Sequence, residues 1–403
     1  MRLFLKLTFG ILWCVLVSCC LRIRTPITSP PEVVAPIAEP KVSIAVLWDT
    51  DTIYVFSKNL YSAISQGKAT TLSAHTNLVV IYHKDSILIL KSNQQRLLSS
   101  PDQIIFESPT EISIGYSLQN MTPYHNRIVI KKNVIHRFAV KKKLTAINIV
   151  SLEKYLYGVV SCEMGMAKEI EIEALKAQAV AARSYTMTLL GKRKDFDIYN
   201  SYLYDQEYKG LLREYPLAMQ AVNLTRGEII KYQDEVILAQ YHACCGGVTT
   251  NGRYPYLRSI IDAPHHSSKQ KPYCQNSPHF QWTTKFTRQQ FQDTLLNLAN
   301  VKYKFDFIPK LDINKTTRRV EHLHFTGLTE YKISGDAIRK ALNLKSTQFT
   351  LKMTKDTVEI NGFGWGHGIG LCQYGALEMA RQKKSYQDIL KHYYAEIKIV
   401  KTY

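Results

Sequence analysis

The run Ala146-Ile147-Asn148-Ile149-Val150-Ser151-Leu152-Glu153-Lys154-Tyr155-Leu156-Tyr157-Gly158-Val159-Val160 is where the chain changes character. Its first five residues, rich in aliphatic and β-branched side chains, predict a strand. Ser151, followed three positions on by Lys154, is half of a capping box and predicts that a short helix starts there. Further on, from Glu171 to Gly191, Ile172, Leu175, Ala179 and Ala182 recur at helical spacing in an Ala-rich segment. That spacing predicts a longer helix, with Gly191 as its stop.

Toward the N-terminus the pattern is different. From Lys41 to Lys143 short apolar or alternating runs, Val42-Ser43-Ile44-Ala45-Val46-Leu47 and Ile87-Leu88-Ile89-Leu90 among them, are broken by polar turns. This is the signature of a mostly β module. Toward the C-terminus, Ala376 to Arg381 and Tyr386 to Tyr394 read as closing helices. The expected class is therefore α+β, with a mostly β module over 41–143 followed by a mixed α/β domain over 144–403. The 403-residue chain is long enough for two packed units, and no internal repeat is visible in it.

The N-terminus decides the compartment. Arg2 and Lys6 precede an apolar run from Leu7 to Val17. That run is shorter than the roughly 20 residues of a membrane span but suits a signal peptide. Leu16-Val17-Ser18-Cys19 has the form of a bacterial lipobox, so 1–18 is expected to be removed and Cys19 lipidated, anchoring an exported protein. An uncleaved N-terminal anchor is the alternative, because Trp13 and Cys14 lengthen the apolar segment. Residues 19–40, with Pro26, Pro30, Pro31, Pro36 and Pro40, predict an extended tether.

The formal net charge is +19, and basic residues recur in short runs such as Lys131-Lys132, Lys141-Lys142-Lys143 and Lys192-Arg193-Lys194. They lack the aromatic interleaving of an RNA-binding sheet, and an exported protein rarely meets nucleic acid, so nucleic acid is not an expected partner. Anionic lipid or an anionic polymer substrate both fit the charge.

Several separate motifs now join the opening stretch. Glu163-Met164 follows it, then Glu173-Ala174-Leu175-Lys176-Ala177-Gln178-Ala179-Val180-Ala181-Ala182-Arg183-Ser184-Tyr185, Asp205-Gln206-Glu207-Tyr208-Lys209-Gly210, and Tyr241-His242 ahead of Gly246-Gly247 and Thr249. Ser334 to Arg339, Ser346-Thr347-Gln348-Phe349 and Gly364-Trp365-Gly366-His367-Gly368-Ile369-Gly370-Leu371-Cys372-Gln373-Tyr374-Gly375-Ala376 complete the set. In this order, from about Ala146 to Tyr394, they resemble the SpoIID/LytB family, named for stage II sporulation protein D, a peptidoglycan lytic transglycosylase. The resemblance implies that 144–403 is a SpoIID-like catalytic domain. It also implies a substrate of peptidoglycan glycan strands freed of stem peptides, whose lactyl carboxylates suit the basic chain, and an amidase acting upstream.

By the same resemblance Glu163 carries catalysis. Its sequence neighbours Cys162 and Met164 form an apolar setting that would raise a carboxyl pKa and keep the group protonated as an acid. The implied reaction cuts the MurNAc–GlcNAc bond and leaves a 1,6-anhydro end, with Glu163 first giving and then taking a proton. Lys176 and Arg183, seven positions apart, share a helix face that fits either anionic sugar substituents or solvent. The glycine-rich box lacks the form of a phosphate loop. Its glycines allow tight turns, with Trp365 as a sugar-stacking face and His367 and Gln373 as polar contacts beside Tyr241 and His242. A hydrogen-bonded structural imidazole remains the other role for His367. A non-catalytic wall-binding or amidase-stimulating protein is the alternative function.

After signal removal the body keeps Cys162, Cys244, Cys245, Cys274 and Cys372, an odd number. Vicinal Cys244 and Cys245 are poorly placed to bond to each other, so either one with Cys274 is the expected disulfide. A structural zinc on His242, Cys245 and Cys274 is the rival reading. No cofactor is expected for the chemistry, since the family commonly has Ser or Thr at positions 244 and 245.

Overall fold

The computed structural model describes residues 38–132, 134, 143–165 and 167–403. The expected signal peptide, the lipidation site Cys19 and most of the tether lie outside the described residues. No described helix is long and apolar enough to cross a membrane.

An 11-stranded sheet dominates the N-terminal part. Strand Lys41–Thr50 pairs antiparallel with Leu144–Ser151, which pairs in turn with Asn120–Lys132, and that with the long strand Gln103–Ser117. Hairpins between Thr52 and Ser100 complete it, and Ile198–Tyr199 adds a parallel edge beside Ile44 and Ala45. Alternation sorts the side chains as a pleated strand requires. Ile44, Ile53, Val80, Ile89, Phe106 and Ile128 are fully buried on one face, while the cross-strand row Ala45, Ile147 and Val129 builds a smaller cluster with Phe196 and Tyr199 on the other. Leu144–Ser151 thus lies inside this sheet, so the mostly β unit does not end at Lys143, and the described residues from 38 on form one compact unit.

Helix α1 (Leu152–Met164) leaves the sheet directly, as the opening stretch predicts. Ser151 is its N-cap residue, but its hydroxyl makes no capping bond. The cap comes instead from Glu39, whose Oε1 accepts from the Glu153 N–H at 3.0 Å while Arg226 pairs with the same carboxylate. Helix α2 (Ile172–Met187) packs beside α1, and α3 (Pro216–Leu224) covers both. Between α1 and α2 lies a fully buried bidentate ion pair, with Arg183 Nε 2.8 Å from Glu153 Oε1 and Nη2 2.7 Å from Oε2. The Tyr403 hydroxyl donates to Glu153 at 2.6 Å and fastens the segment after Lys398–Lys401 to the same point.

A second unit of packing is inserted between two short parallel strands, Tyr241–His242 and Leu371–Cys372. It holds α4 (Arg288–Leu298), α5 (Gly335–Ala341) and two three-stranded sheets, one formed by Gln281–Thr287, Thr357–Phe363 and Phe349–Met353, the other by Lys310–Ile313, Val320–Thr326 and Glu330–Ser334. Its core is its own, built on Trp282, Phe291, Leu295, Leu323, Phe325 and Ile360. Helices α6 (Gln373–Arg381) and α7 (Tyr386–Tyr393) then return to α2, as expected for the closing segment, and Lys398–Lys401 pairs with Glu228–Tyr232. Strands and helices both contribute to a mostly β region followed by a mixed one, which is an α+β fold.

Candidate active site

Glu163 is the penultimate residue of α1, and three separated segments converge on it. Gln373, the first residue of α6, donates its Nε2–H to Oε2 at 3.1 Å. The backbone N–H of Glu207 donates to Oε1 at 3.3 Å, and the Tyr241 hydroxyl donates a further hydrogen bond. The carboxyl is largely enclosed but keeps an open edge. Its pKa is raised from 4.5 to about 6, chiefly by burial, with the Glu207 carboxylate adding repulsion and the three donors opposing. Its place at a helix C-terminus works in the same direction as burial.

The Tyr241 proton is aimed by a network behind it. Gln206, fully buried, accepts from Tyr155 Oη at 3.1 Å and Thr186 Oγ1 at 2.8 Å, which fixes its amide so that Nε2 donates to the Tyr241 hydroxyl at 2.8 Å. With that lone pair taken, the hydroxyl's own proton is free for Glu163. Gly158 is the residue in α1 that lets this network approach, because a Cβ there would stand 2.9 Å from the Tyr208 ring. The motif Asp205-Gln206-Glu207 is visible in the sequence, but no period or charge pattern reveals that its amide and backbone serve Glu163.

The glycine-rich box supplies the neighbouring surface. Gly366, at φ 109, lets the chain pass against His242, where a Cβ would sit 2.9 Å from that residue's own Cβ. Trp365 is 45 % exposed, with His279 edge-on at 4.3 Å and the Lys345 ammonium 5.6 Å from its ring centre. Tyr374, next to Gln373, also meets His279, edge-on at 5.7 Å. An aromatic row with one cation therefore leads from the neighbour of Gln373 to the exposed indole. His367 uses both ring nitrogens on backbone, Nδ1 accepting from the Ile369 N–H at 3.0 Å and the other donating to the Tyr241 carbonyl. The residue is exposed at the surface, but crowding around its ring nitrogens and the nearby Arg319 and Arg339 guanidinium groups hold its pKa below the ordinary histidine value.

The structure brings Glu163, Tyr241 and Gln373 together and leaves two expected substrate contacts elsewhere. Arg183 is not on an open face: it is fully buried and spends its guanidinium on Glu153 and on the carbonyls of Glu228 and Val222. Helical periodicity shows which residues share a face but not which face meets solvent. Lys176 is partly exposed, 2.6 Å from Glu173 and with its ammonium over the Tyr386 ring. It stands two residues before Gln178, whose amide meets Gln373, so it points to the opposite side of α2.

His242 is buried, donates from Nδ1 to the Ile369 carbonyl at 3.1 Å, and is held neutral by burial. It is not among the residues that gather around the thiols. Cys274 is approached by both Cys244 and Cys245, and also by Cys372. All are unbonded thiols, with Cys245 and Cys274 sulfurs 3.4 Å apart, against about 2.05 Å for a disulfide.

Residues 140–232 match the family model described as SpoIID, stage II sporulation protein, and residues 267–370 match a domain of unknown function, DUF8618. The second range nearly coincides with the inserted unit. The chain is 33 % identical over 270 residues to stage II sporulation protein D of Bacillus amyloliquefaciens, covering 62 % of this chain and 74 % of that protein. An uncharacterized protein of Brachyspira hyodysenteriae is 31 % identical over 340 residues, covering 82 % of this chain and 84 % of its own length. The amidase enhancer of Bacillus subtilis is 27 % identical over 294 residues, which is 59 % of this chain but only 39 % of that protein.

Proposed function

Because this chain belongs to the SpoIID family, we propose that it is an exported peptidoglycan lytic transglycosylase acting on glycan strands already stripped of stem peptides by an amidase. The observation that carries this reading is the Glu163 carboxyl, half-buried, elevated to about 6 and oriented by Gln373, Tyr241 and the Glu207 N–H. A carboxyl with such a pKa is partly protonated near neutrality, as a general acid must be. Protonated Glu163 gives its proton to the oxygen linking MurNAc C1 to GlcNAc, and that C1–O bond breaks. The 6-hydroxyl of the same MurNAc then attacks C1, forming the C1–O6 bond, and its proton passes to the Glu163 carboxylate. The acid is regenerated and no water is consumed. A second carboxylate as nucleophile is not needed. Glu207, the nearest one, is occupied by Lys209 at 2.9 Å and by the Tyr202 N–H.

Trp365, with Lys345 and His279 beside it, supplies a sugar-stacking face and a partner for lactyl carboxylates. Tyr241 and Gln373 act by holding Glu163, and His367 by fixing the backbone between Tyr241 and Ile369. The chemistry requires no metal. Cys19 is the expected lipid attachment that keeps the enzyme at the membrane, where wall remodelling occurs. The test is to incubate the full-length chain with peptide-free strands and identify the new ends by mass spectrometry. Ends of 1,6-anhydroMurNAc are expected; reducing ends would mean a hydrolase. Similarity to an amidase enhancer supports a second reading, a non-catalytic wall protein. Strands left intact while an added amidase is stimulated would put that reading in place of the first.

A further inference from the structure

A second group of reactive side chains, unused by the Glu163 chemistry, is buried where the inserted unit joins the body. Cys245 precedes the Gly246-Gly247 pair, Cys274 lies in the short turn Tyr273–Asn276, and Cys372 is the N-cap of α6. With Asp262 they are essentially inaccessible to solvent. One sulfur or oxygen from each of these four residues lies within 4.8 Å of all the others. Four ligands at the corners of a tetrahedron around zinc, with Zn–S near 2.3 Å, stand about 3.8 Å apart.

Two further observations point to a cation. The sulfurs are solvated by backbone as thiolates would be: the Gly247 N–H donates to Cys245 Sγ at 3.3 Å, and the N–H groups of Cys245 and Gly375 donate to Cys372 Sγ at 3.3 and 3.4 Å. Cys372 also sits at a helix N-terminus, which favours an anionic sulfur. Asp262 is divided in the way of a ligating carboxylate held from outside. Oδ1 accepts from Tyr393 at 2.8 Å and meets His392 at 3.3 Å, which leaves Oδ2 facing Cys245 at 3.0 Å.

We propose that Cys245, Asp262, Cys274 and Cys372 form a closed, structural site for zinc, three thiolates and one carboxylate around a tetrahedral ion. Binding displaces three thiol protons and leaves the cluster two negative charges, toward which the buried Arg319 guanidinium, 3.2 Å from the Cys245 carbonyl, is placed as a counter-charge. Cys244 approaches Cys274 and Cys372 as well, but the ligand atoms that all lie within 4.8 Å of one another are those of the other four residues, so its thiol is assigned to the surroundings of the ion. With four protein ligands there is no open position for substrate, so the ion's work is to hold the four segments carrying Cys245, Asp262, Cys274 and Cys372 together. The residue after Cys372 is Gln373, so the ion fixes the amide that reaches Glu163.

The test is metal analysis of the full-length chain purified under reducing conditions from zinc-supplemented cells. One zinc per chain is expected, exchangeable for Co²⁺ with a sulfur-to-cobalt charge-transfer band of a tetrahedral thiolate site. Chelation should lower the melting temperature, and added zinc should restore it. Cys274→Ser should lose the ion and Cys244→Ser should keep it. Because a cysteine variant can lose its fold together with the metal, the cobalt spectrum of the unaltered chain carries the decision. Absence of bound zinc together with a Cys245–Cys274 disulfide in peptide mapping overturns the proposal. So does zinc kept by Cys274→Ser, or lost by Cys244→Ser but kept by Asp262→Asn.

Discussion

Removing one oxygen, in Tyr241→Phe, should change the acidity of a different residue. The Tyr241 hydroxyl accepts from Gln206 and donates to Glu163, so its loss deprives the ionised carboxylate of one of three donors. A hydrogen bond to a charged group contributes about 1.5–3 kcal/mol. Glu163 keeps an open edge, so the lower end of that range applies, and about 1.5 kcal/mol is roughly one pH unit. The Glu163 carboxyl should move from about 6 to roughly 7. At alkaline pH the protonated fraction, and with it the rate on the high-pH limb, should rise roughly tenfold. The direct assay is an NMR titration of the Glu163 side-chain carboxyl carbon in wild type and variant, with Glu163→Gln identifying the signal. The parallel assay is the pH profile of strand cleavage, whose descending limb should shift upward by the same amount. Gln206 would lose an acceptor for its buried amide, so a stability loss of about 1–3 kcal/mol should accompany the shift. A Glu163 titration that stays in place or moves to lower pH in a folded variant refutes the hydroxyl's role as donor.

Other outcomes follow from neighbouring contacts. Glu163→Gln should lower turnover by roughly 10²-fold or more with strand binding retained, read by single-turnover kinetics against affinity. It should also change stability with a definite sign. The wild-type carboxyl is raised in the fold, so the stability it contributes is fully present below pH 4.5 and lost as pH rises through about 6; the glutamine variant should then be more stable by about 2 kcal/mol at pH 8 and equal at pH 4, by denaturant unfolding. Arg183→Met should leave Glu153 buried without its cation and destabilise by about 3–5 kcal/mol, whereas weakened strand binding with normal stability would contradict its buried placement. Trp365→Ala and Lys345→Ala should each raise KM with kcat kept, and only the lysine effect should fade in high salt. Cys19→Ser should release the chain from the membrane fraction, and a wild-type N-terminus still bearing Met1 would rule out the lipobox.

The parts of the fold legible in the sequence are those governed by nearest neighbours along the chain. Val42 to Leu47 and Ile87 to Leu90 alternate and are strands; the switch at Ser151 is where α1 begins; Ala-rich periodicity marks α2. What is missed depends on distant partners. Leu144–Ser151 is slotted between the first strand of the module and Asn120–Lys132, and nothing local shows that this strand belongs to the preceding sheet rather than to the mixed region after it. Ser151 looks like a cap, yet the N–H of Glu153 is taken by Glu39, 114 positions before Glu153. The inserted unit escapes notice because Trp282, Phe291, Leu323 and Ile360 are scattered among ordinary polar residues, and only their convergence makes a core.

At the site the same distinction separates a residue from its chemistry. Glu163 is one glutamate among many by pattern, and its resemblance to a family position singles it out without saying what sets its pKa. That depends on an amide 210 positions away and a backbone N–H 44 positions away, brought to one carboxyl by separate elements. Each donor alone would favour ionisation, and burial alone would oppose it more strongly; the balance near neutrality exists only when all are in place. The segments that carry Tyr241 and Gln373 are the two short parallel strands flanking the inserted unit and their continuations. If zinc is bound at Cys245, Asp262, Cys274 and Cys372, it holds Cys372 and so the following Gln373 in place, and its removal should shift the acidity of Glu163 without touching it. A loosened register should be read first as a displaced pH profile and only later as lost fold.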